Sequence, residues 1–318
     1  MPTLGCGIPG GAVTRTPDVT VVVVTYNSAQ HLSALGQSLS EGTLTPERML
    51  VVDNASGDAT IAAAREAGFD VIEAQSNLGF GTACNIGLRT VSTEFVLFCN
   101  PDTRPSPDAL QRLATVLKNN SNAAVVGAAL DDRPTARQFT RISGEVVGFL
   151  PGFLRHRLRR FECARRVSKD ADAVVVDYAV GAFVLCRVSA LRAIGGFDEA
   201  FFLYFEEEDL CRRLSWLGWQ TLLVPRAHVA HKDSASCDGF DQTSLAPFRI
   251  HSIYRYYRKY HARTYAEFAR CAFAACVSVD RLVRAVARQR QVYGSNAALA
   301  PFRNLSTIRR EHDRSVRA

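Results

Sequence analysis

The chain has 318 residues, 47% of them hydrophobic, enough to bury one large α/β core and an appendage. Its formal net charge of +7 asks for an anionic partner such as a phosphorylated substrate, an anionic lipid or a nucleic acid. No stretch reaches the roughly 18 uninterrupted apolar residues of a membrane span, which argues against an integral membrane protein, and the nine cysteines lack metal-ligand or redox spacing, as expected of reduced, buried thiols in a cytosolic protein.

Residues 1–17 are rich in glycine and proline, have no apolar run of signal-peptide length, and read as a disordered leader. Val19–Thr25 is a β-branched run, the pattern of a strand buried on both faces. Ser28 is placed to cap the next helix, whose apolar stripe is Leu32, Leu35 and Leu39. Met49–Asp53 and Val71–Ala74 are short strands on either side of a helix that opens at Asp58. A helix over Gly79–Val91 follows, then strand Glu94–Cys99, then a helix over Asp108–Lys118 with Leu110, Leu113 and Leu117 at helical spacing. Thr135–Lys169 is irregular and basic, a loop or cover. Val174–Val176 and Val180–Cys186 are strands, Glu206–Leu217 is a helix and Gln220–Val224 a last strand, after which the chain reads as helical from about Ser236. The alternation predicts an α/β fold with a mostly parallel sheet over residues 18–235 and a helical C-terminal region over 236–318.

Such sheets bind ligands beyond the carboxyl ends of their strands. Thr25-Tyr26-Asn27, Asp53-Asn54 and Asn100-Pro101-Asp102 each close a strand and so gather at one edge. Asp53 suits a nucleoside, accepting from an imide N–H or ribose hydroxyls, with a turn role in DNASGD as the alternative. Asp102 suits a hard divalent ion bridging phosphates, with a strand-to-helix turn in NPDTRPSPD as the alternative. Acids at a helix start, as in Glu206-Glu207-Glu208-Asp209, ordinarily form a solvated turn that complements the helix dipole. Helical phase, however, puts Glu207 on the stripe of Leu210, Leu214 and Leu217, facing inward while its neighbours face elsewhere. A partly buried carboxylate has a raised proton affinity and suits general-base work. His231, beyond the last strand, is placed either structurally or to return to the ion.

VVVVTYNS, VVDNASGD, NLGFGTACNIGL, FCNPDT, GAFVLCRVSALRAIGGFDEAFFLYFEEEDLCRRL and HVAH follow in unbroken order between about Asp18 and Ser236. Together they resemble glycosyltransferase family 2 and, within it, the bacterial rhamnosyltransferase-like branch. The resemblance implies a glycosyltransferase A-type nucleotide-binding sheet, inversion at the anomeric carbon, and a divalent cation, Mg2+ or Mn2+. It implies a nucleotide-sugar donor, dTDP-L-rhamnose, and an acceptor hydroxyl on a cell-envelope glycan or a polyprenyl-diphosphate-linked sugar. By this resemblance Thr25, Tyr26, Asn27 and Asp53 line the nucleoside pocket, and Asn77, Gly79 and Asn85 lie near the donor. Asn100 opens the variant of the family's DxD motif, Asp102 is its metal-binding end, and His231 completes the metal shell. The acidic motif, usually Glu-Asp-x-Asp, puts Glu207 at the base position, with Glu206 and Asp209 as its alternatives.

Other readings compete. Gly79-Phe80-Gly81 opens a helix as a dinucleotide fingerprint would, but Cys84 replaces the third glycine and the pair does not follow the first strand. A UDP-sugar transferase and a non-catalytic nucleotide-sugar-binding protein remain alternatives. The basic segments, Arg155–Arg166 and those after His251, carry no nucleic-acid-binding fold, so no nucleic acid is expected. Residues 266–288 instead read as a helix with Phe268, Ala272, Ala275, Val279, Leu282 and Val286 on one face and Arg270, Arg281, Arg284 and Arg288 on the other. That helix either packs on the core or docks on an anionic membrane surface at the cytoplasmic side, with Tyr254, Arg255, Tyr257 and Arg258 adding interfacial contacts.

Overall fold

The computed structural model describes residues 19–131, 135–141, 164–231 and 242–271. The leader, most of the basic segment around Arg155 and the C-terminal helix from Ala272 onward lie outside the described residues.

The first half comprises β1 (Val19–Thr25), α1 (Ala29–Ser40), β2 (Arg48–Asp53), α2 (Thr60–Glu66), β3 (Asp70–Glu73), α3 (Phe80–Arg89), β4 (Phe95–Cys99), β5 (Thr103–Pro105), α4 (Ala109–Asn119) and β6 (Ala123–Leu130); β5 and β6 are strands the sequence pattern did not mark, and the others follow it. α1 buries Leu32, Leu35 and Leu39 as its stripe requires. Ser28 occupies the capping position without capping. Its hydroxyl turns back to donate to the Tyr26 carbonyl at 3.1 Å, and the Asp58 carboxylate accepts the Ala29 N–H at 3.4 Å instead.

The irregular segment contains a small antiparallel pair, β7 (Thr135–Arg137) with β8 (Ala164–Arg166). Then come β9 (Val174–Val176), β10 (Phe183–Arg187), α5 (Val188–Ala193), α6 (Glu206–Trp216), β11 (Gln220–His231), α7 (Gln242–Tyr260) and a short helix, α8, over 263–271. β11 runs past its expected end at Val224. Its pairing with β6 shifts register between Val224 and His228, where Pro225 lacks the N–H a ladder needs, and then resumes to reach His231.

The main sheet has nine strands in the order β3-β2-β1-β4-β10-β6-β11-β5, with β9 also paired to β11. β1, β2, β3, β4, β6 and β11 run one way, and β10, β5 and β9 run the other. Side chains of β1 alternate between two cores. Val21 and Val23 meet Leu32, Leu35, Leu110, Leu113 and Leu117 of α1 and α4, whereas Val22 meets Ala83, Leu88, Leu191 and Leu214 of α3, α5 and α6. Helix α3 lies so close to β1 that a Cβ on Gly87 would stand 2.5 Å from Val22 Cγ1.

α7 and α8 build a third cluster, with Ile250, Ile253, Tyr256, Tyr257, Ala266 and Ala269 around Phe201. Tyr257, expected at an interface, is fully buried in this cluster, because α7 packs on the segment before α6 instead of standing free. In α8, Ala266 and Ala269 turn to the core and Phe268 is 65% exposed. Among the described residues no helix is long and apolar enough to cross a membrane. Cys84, Cys99, Cys186 and Cys211 are free and buried, as expected.

Phe98, fully buried in β4, meets Phe197 edge-on at 5.3 Å between ring centroids. Phe98→Ala should cost about 3–5 kcal/mol in urea denaturation. A loss under about 1 kcal/mol would mean the loop carrying Phe197 is not bound to the sheet as described.

Candidate active site

β1 and β2 end side by side, Thr25 opposite Asp53. Asp53 is 1% exposed, and its carboxylate is committed to the rim: it accepts from Thr25 Oγ1 at 2.9 Å, the Ser56 N–H at 2.9 Å and the Ser56 hydroxyl at 2.5 Å. Asn27 ties the two loops together. Its N–H donates to Ser56 Oγ at 2.8 Å and its side-chain oxygen accepts the Gly57 N–H at 2.8 Å. Asn54 reaches a third loop, donating to the Gly79 carbonyl at 3.2 Å and accepting the Leu78 N–H at 3.1 Å. Asn77 accepts the Gly79 N–H at 3.0 Å. Gly79 has φ of 85°, and a Cβ there would lie 2.3 Å from the Phe202 carbonyl oxygen, so both the conformation and the space demand glycine. Thr25, Tyr26, Asn27, Asp53, Asn77 and Gly79 thus share one braced rim.

Asn85 belongs elsewhere. Its side-chain oxygen accepts the Phe197 N–H at 2.8 Å, and its amide nitrogen donates to the Phe197 carbonyl at 2.9 Å and to Glu199 at 3.1 Å. With both amide hydrogens and the oxygen engaged, Asn85 fastens α3 to the loop before α6.

The extension of β11 places His231. β5 pairs with it so that Thr103 stands opposite His231, one residue from Asp102. His231 Nε2 is 3.5 Å from Asp102 Oδ1 and 3.4 Å from Asn100 Nδ2, so the structure brings these three residues together. The His231 N–H donates to Asp131 at 2.8 Å, which fixes the strand end. One carboxylate and one imidazole with an amide alongside fit a divalent ion that keeps positions for phosphate oxygens. Among the described residues no three His, Cys, Asp or Glu side chains converge, so substrate and water oxygens would complete such a shell.

Tyr204 and Phe205 both have φ of 70°, and this left-handed pair turns the chain so that α6 begins against the sheet edge. The inward stripe expected of Glu207 is not the buried face. Glu206, Glu208 and Asp209 are 5%, 2% and 0% exposed, Glu207 is half-buried, and Leu217 is 59% exposed. Protein covers this first turn on three sides: α3 lies beneath Glu206, residues 137–140 lie over Glu208, and α7 closes on Asp209. Helical phase therefore cannot separate inside from outside here.

Each acid meets burial differently. The Glu206 Cβ is 3.6 Å from where a Cβ on Gly81 would be, and Oε2 is buried with no hydrogen-bond partner among the described residues. Burial, then repulsion from Glu207, pushes its proton affinity well up. Glu208 accepts from the Thr140 N–H and the Thr140 hydroxyl, both at 2.6 Å, and burial still lifts it to about 7. Asp209, one of the alternatives for the base, is committed: Arg213 donates to it at 2.7 Å, and Lys259 and Tyr260 both donate at 2.5 Å. Glu207 keeps an accessible edge. Burial raises its proton affinity, opposed by its own helix N–H, by the Arg137 guanidinium beside it and by the Gly181 N–H.

The next residue completes the site, since the Ala182 carbonyl accepts the Asn100 N–H at 2.9 Å. The dipeptide Gly181-Ala182 therefore holds Glu207 on one side and the Asn100–Asp102 turn on the other. Sequence reasoning missed the work of Asn54, Arg137, Thr140 and Lys259. Asn54 was visible as a polar strand end; the others sit where no periodicity marks them.

The Glycosyl transferase family 2 profile matches residues 20–195. The chain is similar to N-acetylglucosaminyl-diphospho-decaprenol L-rhamnosyltransferase of Mycobacterium tuberculosis, 31% identical over 250 residues that cover 70% of this chain and 78% of the relative. It is also similar to rhamnosyltransferase WbbL of Escherichia coli K12, 28% identical over 166 residues that cover 48% of this chain and 60% of that protein. Among solved structures it is similar to mannosyltransferase PcManGT from Pyrobaculum calidifontis in complex with GDP-Man and Mn2+, with a TM-score of 0.54 at 19% identity over 91% of this chain and 79% of the other. It is similar as well to glucosyl-3-phosphoglycerate synthase from Mycobacterium tuberculosis in complex with Mn2+, UDP-glucose and phosphoglyceric acid, with a TM-score of 0.50 at 19% identity over 76% of this chain and 79% of the other. These likenesses establish the fold as the glycosyltransferase A type.

Glu206, Glu207 and Glu208 all bind protons more tightly folded than unfolded. Between the unfolded carboxyl value of 4.5 and the folded value of about 7 for Glu208, the native state holds the extra proton, so stability falls as pH rises through that window. Glu208→Gln keeps the shape without the charge and should flatten the decline of Tm across it. Identical slopes in the two proteins would remove Glu208 as a source of the dependence.

Proposed function

The chain belongs to glycosyltransferase family 2, and from that premise we propose that it is an inverting transferase moving L-rhamnose from dTDP-L-rhamnose onto a hydroxyl of a polyprenyl-diphosphate-linked or other cell-envelope glycan. The observation that carries the catalytic reading is the Gly181-Ala182 link, which joins a half-buried carboxylate to the Asn100, Asp102 and His231 group. The sugar and the acceptor class are supported by the Mycobacterium tuberculosis and Escherichia coli relatives, both named rhamnosyltransferases. Residues 18–235 form the catalytic unit, and 236–318 a helical region that works beside the cytoplasmic face of the membrane, where a lipid-linked acceptor is found.

In this mechanism the nucleoside lies along the rim of Thr25, Tyr26, Asn27 and Asp53, with Asn77 and Gly79 closing the third side. The donor diphosphate extends over Asn100, Asp102 and His231. A Mg2+ or Mn2+ ion held by Asp102 and His231 would neutralise charge as the diphosphate leaves. The acceptor hydroxyl stands at the accessible edge of Glu207. Its oxygen attacks the anomeric carbon opposite the diphosphate, its proton passes to Glu207, and the bond from the anomeric carbon to the diphosphate breaks as the glycosidic bond forms. Burial raises the proton affinity of both Glu206 and Glu207, and for Glu207 this brings it nearer the working pH of a general base.

Glu207→Gln should lower kcat by about 10²–10⁴-fold with donor binding nearly unchanged. Asp102→Asn should abolish a turnover that chelator stops and magnesium or manganese restores. A panel of dTDP- and UDP-sugars separates the readings: turnover of a UDP donor alone replaces the rhamnosyl assignment, and binding without turnover makes the chain a non-catalytic binder. Full activity in excess chelator removes the ion.

A further inference from the structure

We propose that Arg137 binds the diphosphate of the acceptor, holding the far end of the sugar whose hydroxyl reacts at Glu207. The proposal rests on the reading of Glu207 as the acceptor-side base.

Arg137 closes β7, outside the main sheet, yet its backbone is tied firmly to the site. Its carbonyl accepts the Asp177 N–H at 3.0 Å, and it forms an antiparallel bridge with Tyr178. Two residues on, the Phe139 N–H donates to the Asp177 carboxylate at 2.8 Å and the Phe139 ring lies 4.7 Å from the Arg212 guanidinium. Thr140 then makes its two hydrogen bonds to Glu208. A segment without helical or strand periodicity is thus pinned to the catalytic helix, and the residue it presents beside Glu207 is a cation.

That cation is incompletely used. Arg137 Nε is buried and has no hydrogen-bond partner among the described residues. Arg213 donates to Asp209 at 2.7 Å and Arg104 to the Thr103 carbonyl at 2.7 Å; Arg212 also has a buried unpaired nitrogen, Nη1, but its guanidinium lies within 5.3 Å of the Phe139, Tyr256 and Tyr260 rings. A buried charged donor without an acceptor is costly, so a site that keeps one is built for an anion that arrives with a ligand. A guanidinium fork suits phosphate oxygens, which it engages in pairs.

Two diphosphates enter this site, and the geometry favours the acceptor's. The donor's leaving group belongs over Asp102 and His231, on the opposite side of Gly181-Ala182 from Glu207. A sugar diphosphate whose hydroxyl points at Glu207 carries its anomeric phosphate only one pyranose ring away, on the Glu207 side where Arg137 stands.

The test compares two acceptors, N-acetylglucosamine on a short prenyl diphosphate and the same sugar as a neutral octyl glycoside. With Arg137→Gln, the preference for the diphosphate acceptor, measured as the ratio of KM values, should fall by about 10–100-fold, with no matching rise in donor KM. Arg137→Lys should retain part of the preference, and serves as the working variant should the glutamine protein unfold. Calorimetric binding of the prenyl diphosphate sugar to wild type and both variants gives a readout independent of turnover. Equal losses on both acceptors, or a loss falling on donor KM, overturn the proposal. Arg137-dependent binding without any transfer leaves it standing while the transferase reading fails; transfer with an unchanged preference does the reverse.

Discussion

A helix that begins with four acids ordinarily meets water at that end, where the dipole and solvent together hold the charges. The first turn of α6 is instead enclosed around three of its four acids, and the surroundings of the site are the means by which the enclosure is tolerated. Asp209 is neutralised by Arg213 and Lys259, Glu208 is held by Thr140, and Glu206 has its proton affinity pushed well up by burial. Each solution recruits a different part of the chain: α7 for Asp209, the cover segment for Glu208, α3 for Glu206. What is left is a single half-buried carboxyl, Glu207, with an accessible edge. The enclosure costs stability at neutral pH and leaves one acid whose proton affinity burial raises while part of it stays accessible.

The second constraint is the reversal of β10 in the middle of the sheet. Because β10 runs against β4, the chain enters it at the same edge where β4 ends, with Phe183 opposite Cys99. That entry places Gly181-Ala182 between the end of β4 and the start of α6. Two groups far apart in sequence, Asn100–Asp102 and Glu207, become neighbours of one dipeptide. The bulge in β11 does the same for His231, carrying it past the edge of β6 to pair beside Asp102. Strand direction and strand length, more than any loop, set the spacing of the site.

Much of this is legible in the sequence for a simple reason. β1, β2 and β4 are buried runs that end abruptly in polar residues, and period and polarity change at the same point. The stripe of α1 and the ends of β2 and β4 follow from that pattern alone. The failures also have physical causes. Ser28 has the right chemistry for a cap, but its oxygen accepts the Tyr26 N–H at 3.3 Å and its hydroxyl donates to the Tyr26 carbonyl, a local turn that competes with the helix end. Pro225 reads as a strand end, whereas here it marks an irregularity within a longer strand. Helical phase distinguishes faces only where one face meets solvent, so it could not rank the acids of α6. Arg137 and Thr140 lie in a segment whose conformation comes from contacts with Asp177 and Glu208, distant in sequence and without a period to announce them.

The C-terminal helices bear on the chemistry through Asp209. Lys259 binds both Asp209 and, at 2.7 Å, Asp198 in the loop that Asn85 anchors through Phe197, so α7 and α3 brace the same stretch of chain from opposite sides. Without α7, Asp209 would lose Lys259 and Tyr260 and face Arg213 alone, and the cost of its buried charge would rise. The buried ring cluster of Tyr256 and Tyr257 around Phe201 holds α7 in place, and Phe201 belongs to the segment whose left-handed end, Tyr204-Phe205, launches α6. The helical region is therefore part of the support of the catalytic turn. Lys259 and Tyr260, two residues of one helix, are its connection to the acidic turn of α6.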